Sequence, residues 1–211
     1  DDCIAGALQM GESNACMKRI VAAPTAGACG VLPAVLVPYF QKRCRNTDKI
    51  LKAMYVAAGI GQIIATRSSI SGAAGGCQAE IGSASSMAAG ALTYLQGGNC
   101  EQIATAAAMA MKNLLGLVCD PVAGLVEVPC VKRNVIGTVN AMACADMAMA
   151  GIVSRIPPDQ VMDAMKEVGD KMDASLRETA LGGLARTEEG VKIAEKMHCL
   201  LYTSPSPRDI S

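Results

Sequence analysis

The sequence predicts an all-α fold, a single helical domain of buried Ala/Gly/Met-rich helices joined by loops that gather Gly, Pro, Ser, Thr and Cys. Two patterns lead there: apolar residues recur with helical spacing along most of the chain, and period-two alternation is scarce. The apolar residues are mostly Ala, Met, Val, Leu and Ile, with 21 glycines among them, so helix backbones can approach closely. A hydrophobic fraction of 51% against 18% charged, in 211 residues, supports one substantial core and excludes a disordered polymer.

From the N-terminus, residues 20–40 form an uncharged stretch interrupted by Pro24, Pro33 and Pro38, with an irregular segment at 22–30. Residues 49–66 read as a helix whose apolar positions, Ile50, Met54, Ala57 and Ala58 among them, crowd all sides and imply burial. A Gly- and Ser-rich segment follows at 68–76. A second uncharged stretch, 81–100, contains Ser83, Ser85, Ser86, Gly97 and Gly98. Both stretches have the length of a membrane span. Their internal prolines, serines and glycines argue for buried helices of a protein that does not enter a membrane.

Asn99 and Gln102 have capping-box spacing and introduce a helix over 103–117. The segment 117–130 is irregular, with a short strand-like run at 125–128. Helical spacing resumes over the Ala- and Met-rich stretch 136–154. Pro157 and Pro158 then start an amphipathic helix: Val161, Ala164, Met165, Val168 and Met172 share one face, and Asp163, Lys166 and Glu167 lie opposite. That helix belongs on the outside. The segment 181–186 is again irregular.

No repeat or long linker divides residues 1–198, which form one domain. The chain opens at Asp1 without Met or a charged leader, which suggests an internal fragment lacking an N-terminal part. From Cys199 the helical pattern stops, and the closing LLYTSPSPRDIS resembles a translated sequencing adapter. Residues 199–211 are expected to be a disordered tail foreign to the natural protein.

Lys+Arg and Asp+Glu both total 19, so no net field attracts nucleic acid or an anionic membrane, and five aromatic residues (four Tyr, one Phe) leave little for base stacking. Neither G-x-G-x-x-G nor G-x-x-x-x-G-K-[ST] occurs, which removes the usual nucleotide loops. No histidine precedes His198, so His-based triads and His-ligated metals are excluded from the domain.

The 10 cysteines lack a secretory context, which favours a reducing cytoplasm. No pair has C-x-x-C spacing, so any metal ligands must converge from separate loops. Three cysteines stand in suitable places. Cys77 follows Ser71-Gly72-Ala73-Ala74-Gly75-Gly76, where absent side chains let backbone N–H groups approach an anionic sulfur cluster. Cys119 precedes Asp120-Pro121 and Cys130 follows Pro129, so a proline-bounded loop can present both thiolates to one site. Buried structural thiols remain the alternative reading of all three. Cys3, Cys16, Cys29, Cys44, Cys100 and Cys144 read as core or surface thiols, although Cys29, within the loop 25–30, could lie near the active site.

The segments SISGAAGGCQAEIGSA (69–84) and GLVCDPVAGLVEVPCVKRN (116–134) resemble the two cluster segments of the iron-sulfur L-serine dehydratase α-subunit family. AAPTAGACGVLP (22–33) resembles a third, and the likeness extends through 176–179 and 182–185. The resemblance implies a [4Fe-4S] cluster held by Cys77, Cys119 and Cys130, with one iron open to act as a Lewis acid. It implies a lyase that turns L-serine into pyruvate and ammonia without pyridoxal phosphate. It also implies a β subunit or β-like domain that brings the histidines, within an oligomer.

Thr25, Gly27 and Ser71 could contact the substrate carboxylate, although all three are ordinary turn residues. Lys112, Asp120 and Glu80 lie close to these loops in sequence and read first as salt-bridged or capping residues. The general base is not assigned to any of them. The competing functions are an L-cysteine desulfidase or another cluster-dependent lyase and, from a different class, a non-catalytic metal-binding or helical membrane protein.

Overall fold

The computed structural model describes the backbone of residues 1–203. The expected all-α domain is present, built from α1 (Asp2–Ala15), α2 (Val31–Lys42), α3 (Thr47–Arg67), α4 (Gly72–Gly75), α5 (Ser83–Leu95), α6 (Cys100–Lys112), α7 (Cys130–Met149), α8 (Pro158–Lys171) and α9 (Glu188–Thr203). The remaining residues of the sequence's expected tail, 204–211, lie outside the described part. α9 itself runs through 199–203, past the point where the helical spacing fades.

α5 is the central helix. All its residues except Tyr94 are buried, and α2, α3, α6 and α7 pack around it. Small side chains make this possible: Gly90 of α5 lies directly under Ile60 of α3, so an added Cβ would displace that side chain. Of the serines that interrupt the uncharged stretch, Ser85 and Ser86 are satisfied inside the core, whereas Ser83 Oγ is buried without a partner. Ser85 Oγ donates to the Gly137 carbonyl at 2.8 Å, Ser86 Oγ to Gly82 at 2.9 Å, and Thr93 Oγ1 to Ala89 at 2.8 Å. Among the described residues no helix is long and apolar enough to cross a membrane.

Local signals set several helix starts. Asn46 caps α3 by accepting from the Lys49 amide at 3.0 Å. Asn99 and Gln102 form the anticipated reciprocal box, at 2.9 and 3.0 Å. α8 turns Val161, Met162 and Met165 onto Ile64, Ala108 and Met111, and leaves Asp163, Lys166 and Glu167 exposed.

Three details depart from the sequence reading. The capped helix ends at Lys112 and gives way to turns over 113–116, because its last apolar residues fold back toward the site. The strand-like run 125–128 is a turn, since no neighbouring strand is there to pair with it. α7 starts at Cys130, six residues before the expected 136, so this cysteine sits in the first turn of a helix.

Candidate functional site

Cys77, Cys119 and Cys130 come together at one end of the molecule. Cys77 leads into a π-helical turn (Gln78–Gly82) that continues without a break into α5. Cys130 opens α7, and Cys119 lies in the loop between α6 and α7. The π-helical turn that leads into α5 and the first turn of α7 therefore approach one spot, where the helix dipoles favour negative charge.

The three thiols are buried, at 1%, 3% and 6% exposure for Cys77, Cys119 and Cys130, and all are free. Their titration reflects each other. A hydrogen bond from the Cys119 thiol, with help from the Arg133 charge, lowers the Cys77 pKa. The same hydrogen bond, then burial, raises that of Cys119. Burial, followed by the Cys77 charge, pushes Cys130 up to about 12. The thiolate form is thus favoured at Cys77, by the Cys119 hydrogen bond and then by Arg133, and disfavoured at Cys119 and Cys130.

Glycines form a cradle around these sulfurs. A Cβ on Gly72 would come within 3.1 Å of Cys119 Sγ and 2.9 Å of Glu80 Oε2. Gly76 has φ +73°, and a Cβ there would meet the Leu117 carbonyl at 2.9 Å. Among the described residues no three His, Cys, Asp or Glu side chains close on a single metal ion. A lone tetrahedral ion, with bonds of about 2.3 Å to sulfur, demands tightly clustered thiolates. A cluster binds each thiolate through a separate iron, and the buried thiols with the glycines around them are compatible with such a group.

Long-range contacts fix the surrounding loops. Gln78, fully buried, donates from Nε2 to Met165 O at 3.0 Å and accepts from the Gly116 amide at 2.9 Å. Asn134 donates from Nδ2 to the carbonyls of Gly27 and Cys130 at 2.8 and 2.9 Å, and its Oδ1 accepts from the Gly30 amide at 2.8 Å. This one side chain ties the segment 22–30 to the first turn of α7.

Of the expected substrate contacts, Thr25 and Gly27 are at the site. Thr25 Oγ1 is buried with no well-aligned partner, beside the Glu80 carboxyl. A Cβ on Gly27 would lie 3.3 Å from Glu80 Oε2. Ser71 is exposed at the rim, next to Gly72. Cys29 turns away, its Sγ donating to Met10 O at 3.6 Å. Asp120 is ion-paired, as its type suggested, accepting from Arg133 Nη2 at 2.8 Å. Glu80 is the exception. It forms no ion pair among the described residues, and burial raises its pKa from 4.5. Nothing local in the sequence separates it from a capping acid; only the folding of segments 25–27 and 72 around it does. Arg133 and Asn134 escaped notice for the same reason.

The family model described as serine dehydratase alpha chain matches residues 1–185. This chain belongs to that family. It is 52% identical over 196 residues to a probable L-serine dehydratase alpha chain of Bacillus subtilis (strain 168), covering 93% of this chain and 65% of that one. It is 51% identical over 192 residues to a probable L-serine dehydratase alpha chain of Latilactobacillus sakei, covering 91% and 92%. To an L-serine dehydratase of Escherichia coli (strain K12) it is 48% identical over 181 residues, covering 85% of this chain and 40% of the relative. The family member thus spans under two thirds of the Bacillus relative's length.

Proposed function

We propose that this chain is the metal-carrying part of an L-serine ammonia-lyase, in which Cys77, Cys119 and Cys130 hold a [4Fe-4S] cluster and L-serine becomes pyruvate and ammonia without pyridoxal phosphate. The observation that carries the reading is the burial of three free thiols beside the π-helical turn before α5 and the first turn of α7, in a member of the serine dehydratase alpha family. When bound, the cluster supplies an iron without a protein ligand, a Lewis acid for the serine hydroxyl.

The chain's own residues bind and orient. The helix dipole at the start of α7 and the Arg133 guanidinium offset the negative charge of the thiolates. Thr25 Oγ1, the backbone around Gly27, and Ser71 at the rim receive the substrate carboxylate. The Glu80 carboxyl, wedged between Gly27 and Gly72, faces the ammonium group. No histidine precedes His198, so the Cα proton passes to a group on a β partner or on a part of the protein outside this sequence. Loss of that proton and of hydroxide gives aminoacrylate, which tautomerises and hydrolyses to pyruvate and ammonia. A thiolate-held cluster suits the reducing cytoplasm, and the α-chain relatives suggest an oligomer with the β subunit.

The test is anaerobic loading with iron and sulfide, followed by assays for pyruvate from L-serine and sulfide from L-cysteine in the presence of the partner. Pyruvate formation is expected, with each single Cys→Ser change at 77, 119 or 130 lowering it by at least 100-fold (order of magnitude for losing a metal ligand). Sulfide from cysteine as the sole product would instead identify a desulfidase.

A further inference from the structure

Beyond the three thiols, a buried ion pair joins the cysteine loop to a strap of chain that composition leaves unremarkable. Segment 173–186 crosses the Cys119 loop. The Cys119 amide donates to Leu176 O at 2.8 Å, and the Glu178 amide donates to Cys119 O at 2.8 Å. The next residue completes the attachment. Asp120 accepts from Arg133 Nη2 on Oδ1 and from the Leu184 amide on Oδ2, both at 2.8 Å. Arg133 Nη1 donates to Val118 O at 2.8 Å. The side chains of Asp120 and Arg133 are 4% and 14% exposed, so the pair is shielded from water.

Besides these bonds, the strap is held by the buried Ala185 and by the packing of residues 183–186 against α9. Leu181 and Leu184 are exposed, at 66% and 42%, and no large apolar side chain of the segment joins the core. Its backbone is unusual as well: Glu178 and Ala180 have φ of 64° and 55°, a left-handed conformation that costs about 1 kcal/mol or more for each residue other than glycine. Such strain persists only where surrounding contacts over-determine it. Gly183, φ +57°, packs so closely over Asp120 that a Cβ would clash with the carboxylate.

From this geometry we infer that Asp120 and Arg133 form a latch that fixes the strap 173–186 and the Cys119 loop as one unit, so that release of the strap and loosening of the cysteine site are the same event. Both are positioning residues. One carboxylate answers the guanidinium with one oxygen and the strap with the other, and the guanidinium in turn holds the Val118 carbonyl on the near side of Cys119. The role in cluster retention rests on the proposed function; the mechanical coupling does not.

Two measurements on the 211-residue chain separate these. Asp120→Asn removes the charge that serves both partners. Amide exchange in 174–186 is expected to speed up by at least tenfold, and in the anaerobically loaded chain the visible cluster band is expected to bleach in chelator about 10–100-fold faster. Leu95→Ala, a core substitution at the far end of α5 among Leu36, Ala53 and Met87, destabilises the fold but is expected to leave exchange within 174–186 and bleaching near the unmutated rates. Arg133→Lys, which keeps the charge and loses the fork, is expected to fall between. Unchanged exchange in Asp120→Asn, or acceleration by Leu95→Ala as large as that by Asp120→Asn, would overturn the latch. If the unmutated chain takes up no cluster, the proposed function fails and the exchange arm alone decides the coupling.

Discussion

At the scale of single residues, the site is organised by side chains that satisfy partners far away in sequence. Glu80 is the one whose placement is least favourable for stability alone. Burial raises its pKa above 4.5, so the folded chain holds this proton more tightly than the unfolded chain does. Stability then falls as pH rises from 4.5 through the raised value, the reverse of the usual salt-bridged carboxylate. In the cluster-free chain, Glu80→Gln is expected to flatten that slope and to raise the neutral-pH melting temperature by about 2–4 °C, the equivalent of roughly 1 kcal/mol at this size. Melting curves between pH 4 and 8 check it. Turnover of the loaded enzyme is expected to fall at the same time, since the proposed function sets the carboxyl against the substrate ammonium. A variant that melts lower than the parent at neutral pH would mean that Glu80 is structural.

At the scale of elements, the cradle depends on glycine where backbone and sulfur meet. Gly76→Ala places a Cβ at φ +73° against the Leu117 carbonyl at 2.9 Å and Met172 Sδ at 2.6 Å. A loss of about 2 kcal/mol in denaturant unfolding is expected, from left-handed strain plus a contact that backbone cannot yield. Gly72→Ala points at Cys119 Sγ and Glu80, and is expected to lower bound iron while leaving the helical circular dichroism intact. The elements themselves were largely legible. Apolar spacing gave α3 and α8 within a few residues, and the Asn99/Gln102 box marked the start of α6. The start of α7 was hidden because Pro129 and Cys130 read as loop chemistry, although proline beside a helix start is common. The π-helical turn after Cys77 has no local signal, being set by Gln78 reaching Met165 O and the Gly116 amide.

At the scale of the whole molecule, the three thiols were legible because their loops are compositionally distinct, while their mutual approach needed the packing of α5 against α7. Asp120, Arg133 and Asn134 were not legible as a frame, since each acts through a contact with another loop. The domain brings three buried thiols beside Arg133, and no histidine precedes His198. The chain alone is therefore expected to take up the cluster and turn over serine at least 100-fold more slowly than with its partner, which a titration of the β subunit into the serine assay would check (acid–base catalysis contributes about 10²–10⁴). The central claim is the cluster itself, and iron and acid-labile sulfide analysis with Mössbauer spectroscopy on the anaerobically loaded chain tests it most directly. The account predicts about four irons and four sulfides per chain, with one iron spectroscopically distinct, and their loss when Cys77, Cys119 and Cys130 are all changed to Ser. A folded chain without iron, or a cluster that survives the triple change, would contradict it.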